Sequence, residues 1–154
     1  MRRHHVESIV TIRRPVEDVF AFTIDMFNSP RVRGMTLASR KVSPGPIGLG
    51  SVVDQRVVIF GFESHLRFTA IEWDPPHVIV ASMTGPFLKS GRVRTELRAT
   101  SEGTHKVSSF DLELGPGGIL LWPLLGPLLR RDQARADRKA KALLEASPSD
   151  TASG

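Results

Sequence analysis

The chain has 154 residues, 40% hydrophobic and 24% charged, with no cysteine and no tyrosine. That is the size and composition of one globular domain, which excludes wholesale disorder and a collagen-like fibre; the missing thiols exclude cysteine catalysis, thiolate zinc and redox switching. Lys and Arg number 21 against 16 Asp and Glu, a net charge of +5, which attracts anions weakly without defining a nucleic-acid site.

The start, MRRHHVESIVTIRRP, has no apolar run ahead of a small-residue cleavage site, so no leader is read and a cytoplasmic protein is expected. Val6–Ile12 is rich in β-branched residues and predicts a strand. Pro15 suits a first helical turn, Glu17 and Asp18 complement the helix dipole there, and Val16, Val19, Phe20 and Thr23 form one face. Asn28-Ser29-Pro30 breaks that helix.

From there to Leu114 the signals are strands and turns: Met35–Val42, Ser51–Phe60, Phe62–Trp73, Val78–Thr84, Arg92–Ala99 and Thr104–Leu114. Gly61, Asp74-Pro75-Pro76, Gly85-Pro86 and Ser101-Glu102-Gly103 separate them, as in an antiparallel meander. Gly115-Pro116-Gly117-Gly118 reads as a turn that ends the strands. A helix is predicted from about Ile119 to Ala146, with Leu125, Leu129, Ala136, Ala140 and Leu143 on one stripe. Its apolar start, Gly117–Leu129, is too short to span a membrane and contains Pro123 and Pro127. Residues 1–146 are expected to form a single domain and 147–154 a disordered tail.

This order, with the phrases VESIVTIRRPVEDV (Val6–Val19), FAFTID (Phe20–Asp25), Gly48-Leu49-Gly50-Ser51, IEWDPP (Ile71–Pro76), Gly85-Pro86-Phe87, Glu102-Gly103-Thr104 and the end helix Arg130–Glu145, resembles the SRPBCC superfamily, also called START-like or helix-grip. Its polyketide cyclase/dehydrase branch of small bacterial proteins is the most similar. The resemblance implies an α+β fold: a curved antiparallel sheet of about seven strands around a long C-terminal helix, with two short helices after the first strand. It also implies a cavity for lipids, polyketides or other apolar molecules. Two departures stand out: Pro30-Arg31-Val32-Arg33-Gly34 where an aromatic is common, and Gln133 and Asp137 where the end helix usually has leucines.

Alternation counted back from Pro75 puts Leu66, Phe68 and Ala70 on one face. The lining is expected to continue with Val78, Val80 and Ser82, then Val93, Thr95 and Leu97, then Ser108, Phe110 and Leu112. Leu125, Leu129, Gln133 and Ala136 of the helix would close it. The same positions would also fill a solid core; Thr95, Ser108 and Gln133 favour a cavity, because buried hydroxyls and amides need partners. One residue of slip would reverse a strand's face.

No catalytic residue stands out. His65, mid-strand, and Asp132, at the edge of the helix stripe, are the candidates for proton transfer. His4, His5, His65, His77 and His105 lack zinc-ligand spacing, and neither a metal nor a cofactor is expected.

The leading expectation is therefore binding, and in some settings transport, of a hydrophobic or amphipathic small molecule. The alternative is a polyketide cyclase, aromatase or dehydratase. A second alternative is a module that docks an anionic membrane or nucleic acid through the basic end helix. That helix carries Arg130, Arg131, Arg138, Lys139 and Lys141, and Trp122 beside it offers peripheral membrane contact. No specific nucleic-acid motif is present, and monomer and homodimer both remain open.

Overall fold

The β-branched run near the N-terminus forms β1 (Arg3–Ile12), and the acidic turn after Pro15 opens α1 (Val16–Phe27). The meander follows as β2 (Thr36–Lys41), β3 (Val52–Ile59), β4 (Phe62–Asp74), β5 (Val78–Thr84), β6 (Leu88–Thr100) and β7 (Gly103–Leu114), and α2 (Pro116–Ala146) ends it. This architecture comes from a computed structural model that describes residues 3–27 and 36–146. The second short helix expected after α1, the Pro30–Gly34 departure, Met35 and the 147–154 tail all lie outside the described residues.

The seven strands make one sheet in the order β1-β7-β6-β5-β4-β3-β2, each pair antiparallel. The fold is the helix-grip arrangement: an open curved sheet with a long C-terminal helix laid across it. Two boundaries differ from the sequence reading. β1 starts at Arg3 rather than Val6, so His4 and His5 are paired with Leu112 and Asp111 of β7. α2 starts at Pro116, and the glycines expected to form a turn are its first residues. Phe87 explains them: a Cβ on Gly118 would lie 2.6 Å from the Phe87 carbonyl oxygen, and one on Gly117 would lie 2.9 Å from its ring. Only glycine lets the helix begin so close to the β5–β6 turn.

Two apolar clusters hold the layers together. The first joins Val16, Val19 and Phe20 of α1 to Ile12, Ile79, Leu97 and Leu144, with Trp73 edge-on to Phe20 at 5.9 Å. The second gathers Met83, Leu112 and Leu114 with Trp122 and Leu129. On α2 the buried positions run Ala136, Ala140, Leu144, whereas Leu143 is 36% exposed. The i, i+4 spacing with small residues lets the helix rest directly on β1.

Polar ties clamp that end. Lys141 Nζ donates to the Thr11 carbonyl at 2.6 Å, and Glu145 accepts from the Arg13 amide at 2.9 Å. Arg14 reaches the Leu144 carbonyl at 2.6 Å while pairing with Asp18 at 2.8 Å. The helix is thus held against the β1 edge of the sheet, and the concave face of β3–β7 is left only partly filled.

Candidate functional site

The concave face of the sheet and the middle of α2 form a partly open cavity of about 150 Å³. Its floor is set by strand parity. In β7 the even positions Lys106, Ser108, Phe110 and Leu112 point inward, and in β6 their register partners Thr95 (opposite Ser108) and Val93 (opposite Phe110) do the same. β5 contributes Met83, β4 contributes Leu66 and Phe68, and β3 contributes Gln55, Val57 and Ile59. Thr23 and Thr36 come from α1 and β2, while Leu129, Asp132 and Gln133 of α2 form the roof.

Of the positions proposed from alternation, Leu66, Phe68, Val93, Thr95, Ser108, Phe110, Leu112, Leu129 and Gln133 are brought together around this cavity, with Asp132 beside them. Seven others are not. Val78, Val80 and Ser82 face the opposite side, because the inward residues of β5 are Ile79 and Met83. A bulge between Ala70 and Glu72 shifts the β4–β5 register, so the parity shared by Leu66, Phe68 and Ala70 does not continue past it. Val80 is nonetheless buried: its neighbours in register are Glu72 and Arg94, whose side chains pair at 3.3 Å. Ala70 has the inward phase but is buried opposite Ala81, beyond the cavity wall. Leu97 also points inward but is taken up by the α1 cluster. Ala136 is buried on the stretch of α2 that lies on β1. Leu125 is only half-buried, since Trp122 and Gly126 occupy the inward turn there.

His65 is exposed and stands opposite Arg56, on the outer face from Leu66. That placement removes it from the cavity. The outer face is a charged one: Arg67 meets Asp54 at 2.7 Å, Arg94 meets Glu96 at 2.6 Å, and His5 meets Asp111 at 2.7 Å. The Asp111 hydrogen bond raises the His5 pKa above its ordinary 6.5, against a smaller opposing effect of burial. A second hollow, about 240 Å³, lies on this outer side among Ile71, Ser82, Ser90, Gly91, Arg92, Asp111 and Glu113. Among the described residues its lining comes from strands alone and is mostly polar, so the cavity beneath α2, with Leu66, Phe68, Met83 and Phe110 on its wall, is the better candidate for an apolar molecule.

The chemistry of the cavity lies in a group that alternation alone did not single out. Lys106 and Asp137 form a buried ion pair, Nζ to Oδ1 3.2 Å, with side chains 8% and 3% exposed. Gln133 Nε2 donates to the same oxygen at 3.1 Å, and Ser8 Oγ donates to Oδ2 at 2.5 Å. Asp137 therefore accepts three donors from behind the wall, while Lys106 and Gln133 reach the cavity surface. The signal was present: Lys106 has the inward phase of Ser108, two residues on, and Asp137 lies one turn after Gln133. Gln55, which also lines the wall, donates to Ser39 at 3.4 Å.

Elsewhere, Trp122 packs against the His4 ring at 4.4 Å and into the second apolar cluster, while Leu120 and Leu124 beside it are 81% and 65% exposed. Arg130, Arg131, Arg138 and Lys139 are exposed along α2. Among the described residues no helix is long and apolar enough to cross a membrane, and no group of three His, Cys, Asp or Glu could hold a metal.

A family model described as polyketide cyclase / dehydrase and lipid transport matches residues 3–145. A search of curated proteins finds no match. Among solved structures the chain is similar to the Zhui aromatase/cyclase from Streptomyces sp. R1128, with 18% identity, TM-score 0.78 and 94% of each chain covered. It is similar to a START superfamily protein from Mycobacterium smegmatis, with 17% identity, TM-score 0.74, and 91% of this chain and 99% of that one covered. It also matches the di-domain ARO/CYC StfQ from the steffimycin biosynthetic pathway at 16% identity and TM-score 0.77, with 93% of this chain covering 51% of that one. At these identities the likeness is one of fold.

Proposed function

We propose, from the premise that the chain belongs to the polyketide cyclase / dehydrase and lipid transport family, that it binds a hydrophobic or amphipathic small molecule beneath α2. The observation that carries this reading is the helix-roofed cavity, whose wall mixes Phe68, Phe110, Leu66 and Met83 with the polar ends of Thr95, Ser108, Lys106 and Gln133. Apolar burial would supply affinity, at about 25 cal/mol per Å² before entropy costs. The polar groups would set orientation. Native mass spectrometry of fresh protein and a thermal-shift panel of lipids and polyketide-like compounds test it. At least one class should bind, and Val93→Phe, which fills the cavity, should abolish that binding while the fold persists. No binding by any class would refute the reading.

A cyclase-type enzyme is the second reading. The Lys106–Asp137 pair supports it, since a buried charge pair beside a cavity is a frequent setting for proton transfer. Turnover of a poly-β-keto substrate, lost in Asp132→Asn or Lys106→Met, would favour it. Binding without turnover would leave the carrier reading.

A further inference from the structure

In an antiparallel meander alternate connections fall at the same end of the sheet. The β3–β4 and β5–β6 turns therefore share one end, and the β7–α2 junction joins them there, with the Gly115 amide donating to the Phe87 carbonyl at 2.9 Å. We propose that this end is a docking surface for an anionic lipid bilayer: the three connections insert, and a row of arginines on α2 meets the headgroups. The inference concerns the outside of the molecule and stands whatever the cavity holds.

The apolar residues come first. Of the twelve large hydrophobic side chains exposed among the described residues, six belong to this end: Phe60 and Phe62 on the hairpin, Phe87 on the β5–β6 turn, and Ile119, Leu120 and Leu124 on α2. Phe62, Leu120 and Leu124 are 76%, 81% and 65% exposed. The connections themselves, 59–62, 84–88 and 114–129, hold no charged residue. Two of the phenylalanines also stand in left-handed backbone, Phe60 at φ 52° and Phe87 at φ 68°. Glycine or asparagine would fill such turn positions at less cost. The backbone does not ask for an aromatic at either place, and both side chains remain about half exposed.

Charge selects the occupant. Leu120, Leu124, Pro127, Arg131, Arg135 and Arg138 are all exposed, and their three-and-four spacing puts them on one face of α2. That face is uncharged where the helix starts and cationic beyond it. The helix runs from this end back to the other, where Lys141 meets Thr11. Arg131 therefore stands about 10 Å behind Leu124 along the axis. An apolar end that enters a bilayer by about 5–10 Å then sets the arginines level with the lipid phosphates, which guanidinium groups bind through paired N–H donors. A second copy of the chain would bring its own cationic row, whereas an anionic surface complements this one.

Flotation of the full chain with vesicles of phosphatidylcholine, alone or mixed equally with phosphatidylglycerol, tests the proposal. The mixed vesicles should bind the protein, and the neutral ones should bind it much less. Added salt should weaken the binding without removing it, because the apolar part is not screened. Leu120→Ser with Leu124→Ser should lower binding by at least about tenfold. Arg131→Gln, Arg135→Gln and Arg138→Gln together should lower it about a hundredfold on mixed vesicles, at about fivefold for each cation near an anionic surface. Both sets are exposed positions, so the melting temperature should stay at the wild-type value. Phe60→Asn should weaken flotation while keeping or raising the melting temperature, since asparagine suits the turn. No flotation with mixed vesicles, flotation that salt removes entirely, or wild-type flotation by the serine pair would each overturn the proposal. So would a lipid-free dimer in sedimentation velocity that the serine pair disperses, which would assign the surface to a second copy. The thermal-shift panel for the cavity is read without vesicles, so the two readings fail separately.

Discussion

Replacing Lys106 by methionine removes the ammonium and keeps the apolar stem of the side chain. The carboxylate of Asp137, whose side chain is 3% exposed, then stays buried with Ser8 and Gln133 as its remaining donors among the described residues. Breaking a buried ion pair from one side costs about 3–5 kcal/mol. The two surviving hydrogen bonds to the charged acceptor soften the loss, which places the expectation near the lower bound, about 3 kcal/mol. At about 2–4 °C per kcal/mol for a chain of this size, the melting temperature should fall by about 6–12 °C. Adding Asp137→Leu removes the stranded charge, and the double variant should recover most of that loss. Urea unfolding of the wild type, both single variants and the double closes a thermodynamic cycle, with unchanged m-values as the check that the unfolded state is not what moved. A single variant costing under about 1 kcal/mol would mean that water reaches the pair, and a double variant no better than the single would mean that charge balance is not what the pair provides.

Leu144→Ala should cost about 2–4 kcal/mol and Leu143→Ala under about 1 kcal/mol, because only Leu144 is buried; equal costs by denaturation would place the helix face wrongly. Gly103→Ala should destabilise by about 2–4 kcal/mol, since its φ is +138° and a Cβ would lie 2.2 Å from the Ile12 carbonyl oxygen. Gly61→Ala, at φ +80° with open space around it, should cost only about 1–2 kcal/mol in the same assay. His5 should titrate above 6.5 in an NMR pH series, chiefly through its hydrogen bond to Asp111. Asp111→Asn should bring it back toward 6.5. Because Asp111 favours the protonated ring, the stability it adds is complete below about 6.5 and is lost as pH rises through the elevated value. Both partners are largely exposed, so that gain is small, and a His5 pKa below 6.5 would contradict the pairing.

The strand-and-helix order was written locally. β-Branched runs, Gly and Pro turns and the basic-apolar stripe of the last helix each act over a few residues, and the elements they imply are those of the fold. The inward faces of β6 and β7 were legible for the same reason: an uninterrupted strand carries its parity along its whole length, so Val93 and Thr95 follow from one another, as do Ser108 and Phe110. β5 was not legible. Its run of Val78, Ile79, Val80 and Ala81 is apolar at every position, so nothing in it marks a face. His65 failed with no such excuse in its own strand: an alternation that sends Leu66 inward sends His65 outward.

What the residues alone determined is the set of elements and, strand by strand, which side chains share a face, because both depend on backbone geometry of short range. Where α2 lies was a tertiary decision. Ala136 and Ala140 allow it to rest on β1, the polar ties at Lys141 and Glu145 hold it there, and the Phe87 turn receives its first residues. That off-centre seat leaves a void over β3–β7 and brings Asp137 to Lys106 across 31 positions of chain. No local pattern encodes such a meeting, since it exists only once helix and sheet are packed.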